Sequence, residues 1–210
     1  IKNISKDGAE TFIKLQLDLI LYELMMSRNL NFRFNDQTSA FSVNFLKYFS
    51  RLFQKGDSEV IKKIFNEKPI LHLMTHSMLS ICEPLLNVTN NKLKIIEVVK
   101  HPKTMILVGS RYNNEWMSRQ GRLRQFQIFT KTNEIEVPFW ANQWSEKYLK
   151  SNSVERTIYE IEYQSLNTQK FKEKNKFADI LTIPFEKLII KPKEYVNKIE
   201  AFVGTSVRKK

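Results

Sequence analysis

Two short apolar runs, each ending in groups suited to anion or proton chemistry, constrain this chain more than any other feature. Both lie within KPILHLMTHSMLSICEPLLNVTNNKLKIIEVVKHPK, residues 68–103. The first, Pro69 to Met74, ends at Thr75-His76; the second, Leu93 to Val99, ends at Lys100-His101-Pro102. Runs this short and this apolar suit strands buried on both faces of a parallel sheet. Open parallel sheets hold their ligands at the carboxyl ends of their strands. Two such ends in a basic chain point to a site for a negatively charged ligand.

The rest of the sequence supplies helices for such a sheet. Phe12, Leu15, Leu19, Tyr22 and Met26 recur at helical spacing after Gly8-Ala9. Phe41, Phe45, Tyr48, Phe49 and Leu52 predict a second helix stopped by Gly56, and Asp57-Ser58 caps a third that runs through Phe65. Lys103 to Trp116 reads as a helix with Pro102 at its start. Glu134 to Trp140 alternates apolar and acidic residues and leads into an aromatic loop. Ser153 to Phe171 is helical, with Ser151 or Ser153 as its cap. Ile180–Ile183 is a further strand, and Pro192–Phe202 a last helix closed by Gly204. The expectation is one α/β domain over 1–210, helical in 1–67. A three-layer, mostly parallel sheet flanked by helices occupies 68–204.

Composition excludes several classes. The 42% hydrophobic content argues against disorder, and no apolar run is long enough to cross a bilayer. A single Cys82 rules out an internal disulfide framework and a cysteine metal cluster, and its apolar surroundings predict a buried, inert thiol. The net charge is +12, but 25 of the 34 basic residues are Lys, a hydrated point charge rather than the bidentate fork of Arg. A solvated basic surface accounts for much of that excess. The chain opens on a charged, then amphipathic segment rather than a signal peptide, so a cytoplasmic location is expected.

Three blocks resemble the PAPS-dependent sulfotransferases, in that family's order; PAPS is 3′-phosphoadenosine 5′-phosphosulfate, the sulfuryl donor. KPILHLMTHSMLSICEPLL is similar to the family's strand ending in Lys-Thr-His. KLKIIEVVKHPKTMI is similar to its strand and turn of hydrophobics, Arg, any residue and Pro. ILTIPFEKLIIKPKEYVNKIEAFVG is similar to its late strand, Glu-x-Leu, Pro and closing helix. The resemblance implies a fold of the P-loop sulfotransferase type, PAPS as co-substrate without a metal, and a carbohydrate or small-molecule hydroxyl as acceptor. The family's Gly-rich phosphate-cradling turn does not occur in this sequence, so the resemblance implies the expectation that it, with the first strand, precedes Ile1. Lys100 stands where the family has Arg, and Val108 where it usually has Ser.

The candidate residues follow from chemistry and resemblance together. His76 is the candidate general base, since an imidazole titrates near neutrality and can take the proton of an attacking hydroxyl. Lys100, in a turn before a helix N-terminus, is the candidate ligand of the 3′-phosphate, with Ser110 and Arg111 assisting. Each has a plainer reading: a loop histidine, a solvated lysine, helix-surface residues. His72 reads as a packed core histidine and His101 as a helix-start contact. Glu186 reads as a structural hydrogen-bond acceptor after its strand. Trp116, Trp140, Trp144 and Phe139 line either an acceptor pocket or, more simply, a core. Two other functions stay open: a sulfotransferase-like protein that has lost catalysis, and a nucleic-acid-binding module built on the basic stretch Arg111 to Arg124. The second carries no recognised nucleic-acid motif, so nucleic acid is the less expected partner.

Overall fold

The structure is a computed structural model that describes residues 4–36, 39–76, 79–116, 128–132 and 135–206. Internal contacts divide the chain into two units, Ile1–His76 with Pro84–Asn90, and Ser77–Glu83 with Asn91–Lys210.

The first unit is helical. Helix α1 spans Lys6–Met25 and starts at Ser5, whose hydroxyl accepts the Gly8 N–H. The aromatic run expected as one helix is two, α2 (Ala40–Val43) and α3 (Phe45–Arg51). Asn44 breaks it: its backbone leaves the helical region at φ −161°, and its side chain accepts the Lys47 N–H to start the next turn. Helix α4 spans Ser58–Glu67, capped by Asp57 as the sequence predicts. Met25 and Met26 of α1 bury against Val60, with Tyr22 and Ile64 packed around them. Helix α5, Glu83–Val88, contributes Asn87, which donates to Glu10 at 2.8 Å.

The run Ile70–Met74 corrects the first expectation. It forms no strand; Lys68 ends α4 in the left-handed region at φ 45°, and residues 70–74 continue as irregular chain, mostly exposed. An apolar run becomes a strand only when a neighbour takes its N–H and C=O groups, and no described strand pairs with this one. His72 is accordingly exposed rather than packed in a core.

The second unit carries the α/β part. Strand β1, Lys94–Val99, pairs in parallel with β4, Asp179–Pro184, in a register running from Lys94↔Asp179 to Val99↔Pro184. Between them lie α6 (Pro102–Trp116), the antiparallel pair β2 (Phe129–Thr132) and β3 (Ile135–Pro138), α7 (Ser145–Lys150) and α8 (Ser153–Lys174). After β4 come α9 (Phe185–Ile190) and α10 (Pro192–Val203), the latter closed by Gly204 at φ 79°, where a side chain would be strained. The expected strands 93–99 and 180–183 and the helix 192–202 are therefore present, each within a residue or two. Strand β1 is not buried on both faces, because Ile96 and Val98 are exposed while Ile95 and Glu97 are half-buried. The described protein is mixed α/β with a small parallel sheet of two strands.

Helix α8 is set by a capping box. Asn152 accepts the Val154 and Glu155 N–H groups, and Glu155 accepts the Asn152 N–H in return. Asn152 is thus the cap, in place of the neighbouring serines. Lys172 near its other end donates to Glu97 of β1 at 2.6 Å, and Thr182 of β4 donates to the same oxygen at 2.6 Å. That shared carboxylate fastens the helix to both strands. Helices α6 and α8 approach closely at Gly109, where an added Cβ would lie 2.6 Å from Thr157 Cγ2.

Candidate functional site

The site builds from the shared carboxyl end of the parallel pair. Because β1 and β4 run the same way in register, Lys100-His101 and Phe185-Glu186 emerge side by side. Pro102 then opens α6, its missing N–H falling where a helix has no acceptor anyway. Glu186 accepts the His101 backbone N–H at 2.9 Å and, weakly, the Thr104 hydroxyl at 3.5 Å. The structural role expected for Glu186 is the one it has: it joins the start of α9 to the turn before α6. The His101 backbone N–H bond, then its own backbone N–H, hold the Glu186 carboxyl below the usual range. His101 Nδ1 accepts the Lys103 N–H at 3.2 Å, as befits a helix-start contact.

Lys100 is exposed, with its Nζ 4.7 Å from the centre of the Phe185 ring. It forms no ion pair among the described residues. A cation free of a carboxylate, beside the N-terminus of a fifteen-residue helix, can meet an anion. Ser110 and Arg111 lie on the same helix. At 1.5 Å per residue, Ser110 sits about 12 Å along the axis from Pro102. Its hydroxyl donates within the helix to Leu107 O at 3.4 Å, and Arg111 is exposed. Lys100, Ser110 and Arg111 thus share one strand-turn-helix, with the last two well inside the helix. His76 belongs to the first unit, at the end of the irregular segment after α4, and is exposed.

The aromatic residues divide. Trp140 is buried with Val137, Ala141 and Tyr148, and Trp144, Tyr159 and Tyr163 pack around them, so this group is a core. Phe139 meets Tyr163 edge-on at 6.4 Å. Half-buried Trp144 also borders an open depression of about 750 Å3 with Gln143, Lys147, Lys150 and Glu155. The side chain of Trp116 and most of the basic stretch 111–124 lie outside the described residues. Cys82 is buried, and burial pushes its thiol pKa up, which makes it the inert thiol expected.

Sequence reasoning missed a buried polar network joining α6, α7 and α8. Asn113 donates to Thr157 Oγ1 at 2.9 Å, and the Tyr148 hydroxyl donates to Asn113 Oδ1 at 3.2 Å. Arg156 donates to the carbonyls of Tyr148 and Leu149, both at 2.8 Å, and lies against the Tyr148 ring. Glu160, on the same helix, has its carboxyl pushed up to about 7 by burial. Tyr148 is pushed up to about 12, again by burial first, with Arg156 opposing and Glu160 adding. The one local signal was Gly109, a helix-interior glycine whose absent side chain admits Thr157.

Among the described residues no cluster of His, Cys, Asp and Glu could hold a metal ion, and no helix is long and apolar enough to cross a membrane. Comparison with family models, with curated proteins and with solved structures gives no match.

Proposed function

We propose that this protein is a PAPS-dependent sulfotransferase that moves a sulfuryl group to a hydroxyl of a carbohydrate or small molecule. The observation that carries the reading is the carboxyl end of the parallel pair. There Lys100, which forms no ion pair among the described residues, stands two residues before the start of α6, and Glu186 pins the turn that holds it. In this reading β1 and β4 are two strands of a larger, mostly parallel sheet in a three-layer domain. Lys100 meets the 3′-phosphate, with Ser110 and Arg111 along the same helix. His76 takes the proton of the acceptor hydroxyl as its oxygen attacks sulfur. The bond from sulfur to the phosphate oxygen breaks, and adenosine 3′,5′-bisphosphate leaves. Positioning and charge stabilisation then supply most of the rate.

A second reading keeps the binding and drops the chemistry. Lys100 offers no bidentate fork where the resemblance implies Arg, and Val108 has no hydroxyl where it implies Ser. One pair of measurements on the full-length protein separates the two. Calorimetric titration with adenosine 3′,5′-bisphosphate should show binding that Lys100→Ala weakens by about 1.5–3 kcal/mol, the worth of a charge-assisted hydrogen bond. Transfer of labelled sulfate from PAPS to a panel of glycans and small hydroxyl compounds should fall on the order of 10²–10⁴-fold in His76→Ala. Unchanged affinity in the first variant removes Lys100 from the site, and retained turnover in the second removes His76 as the base. Nucleotide binding without turnover on any acceptor favours the binding-only reading. Absence of nucleotide binding overturns both, and a steeply salt-dependent affinity for nucleic acid would then replace them.

A further inference from the structure

The first unit carries a chain of six phenylalanines that nothing in the proposed reaction uses. Phe32 and Phe34 each meet Phe41 edge-on, at 6.5 and 5.5 Å between ring centres. Phe41 stacks on Phe45 at 4.3 Å and 9°, Phe45 on Phe49 at 5.1 Å, and Phe49 meets Phe53 edge-on at 5.4 Å. A chain of rings of this kind would normally be the inside of a core. Here Phe34 is 81% exposed and Phe53 75%, and Leu46, one turn from Phe49 and two from Phe53, is 78% exposed. An exposed apolar patch of this extent marks a docking surface.

The exposed charged residues of this segment, 28–55, are of one sign. Arg28, Arg33, Lys47 and Lys55 are exposed, and Arg51 lies 5.9 Å from the Tyr48 ring centre. Over residues 28–55 the only acidic residue is Asp36, and it is half-buried. Three occupants suit an apolar face rimmed by cations, and the geometry ranks them. A second copy docking the same face would set cations against cations. Single-stranded nucleic acid needs open ring faces for its bases, and in the stacked rings Phe41, Phe45 and Phe49 the faces already meet one another. An anionic bilayer needs neither open faces nor an acidic complement. Phenylalanine and leucine enter the boundary between headgroups and acyl chains, while lysine and arginine meet the lipid phosphates and carboxylates.

We propose that the Phe32–Phe53 face docks the protein on an anionic membrane surface. The lipid binding is peripheral and independent of the sulfuryl-transfer reading. The test is cosedimentation of the full chain with vesicles of phosphatidylcholine alone and of phosphatidylcholine with roughly one-third phosphatidylserine. Binding should need phosphatidylserine and should weaken with added salt. Phe34→Ser with Phe53→Ser should abolish it while leaving the circular dichroism and the melting transition unchanged, since both rings already face solvent. Lys47→Glu should lower the partition by about tenfold or more, because it removes one attractive charge and adds a repulsive one. Equal binding to both vesicle types, or none to either, overturns the proposal. So does retention of binding in the double serine variant. A concentration-dependent dimer lost in that variant would assign the face to a second copy. Preference for a single-stranded oligonucleotide over vesicles would assign it to nucleic acid.

Discussion

The two units differ in how their buried groups are built. In the second, Trp140, Tyr148 and Val137 bury against one another, and the polar groups beside them, Asn113, Thr157 and Arg156, are hydrogen-bonded across three helices. In the first, the buried group is small, Met25, Met26 and Val60. Large apolar side chains face outward in both units, Phe34, Leu46, Phe53, Ile70 and Met74 in the first and Leu107, Ile128, Ile189 and Ile190 in the second. A side chain is held where chemistry needs it only when the backbone that carries it is fixed by pairing and packing. Lys100 meets that condition, through β1, Pro102 and the Glu186 bond to His101. His76, on irregular chain, does not meet it within its own unit. The proposed acid–base role of His76 therefore asks for ordering that the phosphate-binding role of Lys100 does not.

The largest effect should come from breaking the core of the second unit. Trp140→Ala removes a large buried ring, and losses of about 3–5 kcal/mol are typical. Trp140→Phe should cost far less. The Trp140 Nε1–H is buried without a hydrogen-bond partner among the described residues, and a lone buried donor costs about 1–3 kcal/mol, which phenylalanine relieves. Urea denaturation followed by the remaining tryptophans measures both, since all three tryptophans belong to the second unit. Equal losses for Ala and Phe would mean that the Nε1–H has an acceptor and that the core is less apolar than described.

Glu160 sharpens the same contrast by pH. Its carboxyl is raised to about 7 by burial, against an ordinary value of 4.5, and the Gln164 side chain donates to it at 3.1 Å. Between those two values the folded state holds a proton that the unfolded state has lost. Stability therefore falls as pH rises through this window, and the whole penalty is present above about 7. Glu160→Gln keeps the shape and removes the charge. It should stabilise the second unit at pH 8 by up to about 3 kcal/mol, and match the parent near pH 4. Thermal melts across that range read the difference. A parent whose stability is level from pH 4 to 8 would show that the carboxylate reaches water or a cation.

Local signals made part of this structure legible in the sequence. Pro102, Pro192 and Gly204 punctuate helices where φ or a missing N–H demands it, and the apolar runs of β1 and β4 bracket the crossover. The turn at Lys100 followed directly from Pro102. Non-local facts were not legible. Asn44 divides a helix through its own hydrogen bond to Lys47, in competition with a good apolar period. Asn113 finds Thr157 and Tyr148 across separations of 44 and 35 residues, which no window along the chain reveals. Ile70–Met74 has the composition of a strand, but pairing belongs to the partner as much as to the run.

That last point yields the smallest predicted effect, and it bears most directly on how far the first unit resembles the second. Met74 is 83% exposed on irregular backbone. A polar substitution at such a position normally changes stability by no more than about 0.5 kcal/mol. Met74→Ser should therefore leave the urea midpoint of the full chain, read by far-ultraviolet circular dichroism, almost unmoved at constant m-value. The control is Ile183→Ser on β4, a fully buried strand position where loss of apolar packing and burial of a hydroxyl both act, at about 2–5 kcal/mol. If Met74→Ser instead approaches the Ile183 loss, the run 70–74 is packed in solution. His76 would then sit at the end of an ordered segment, and the difference in order between the two candidate site residues would disappear.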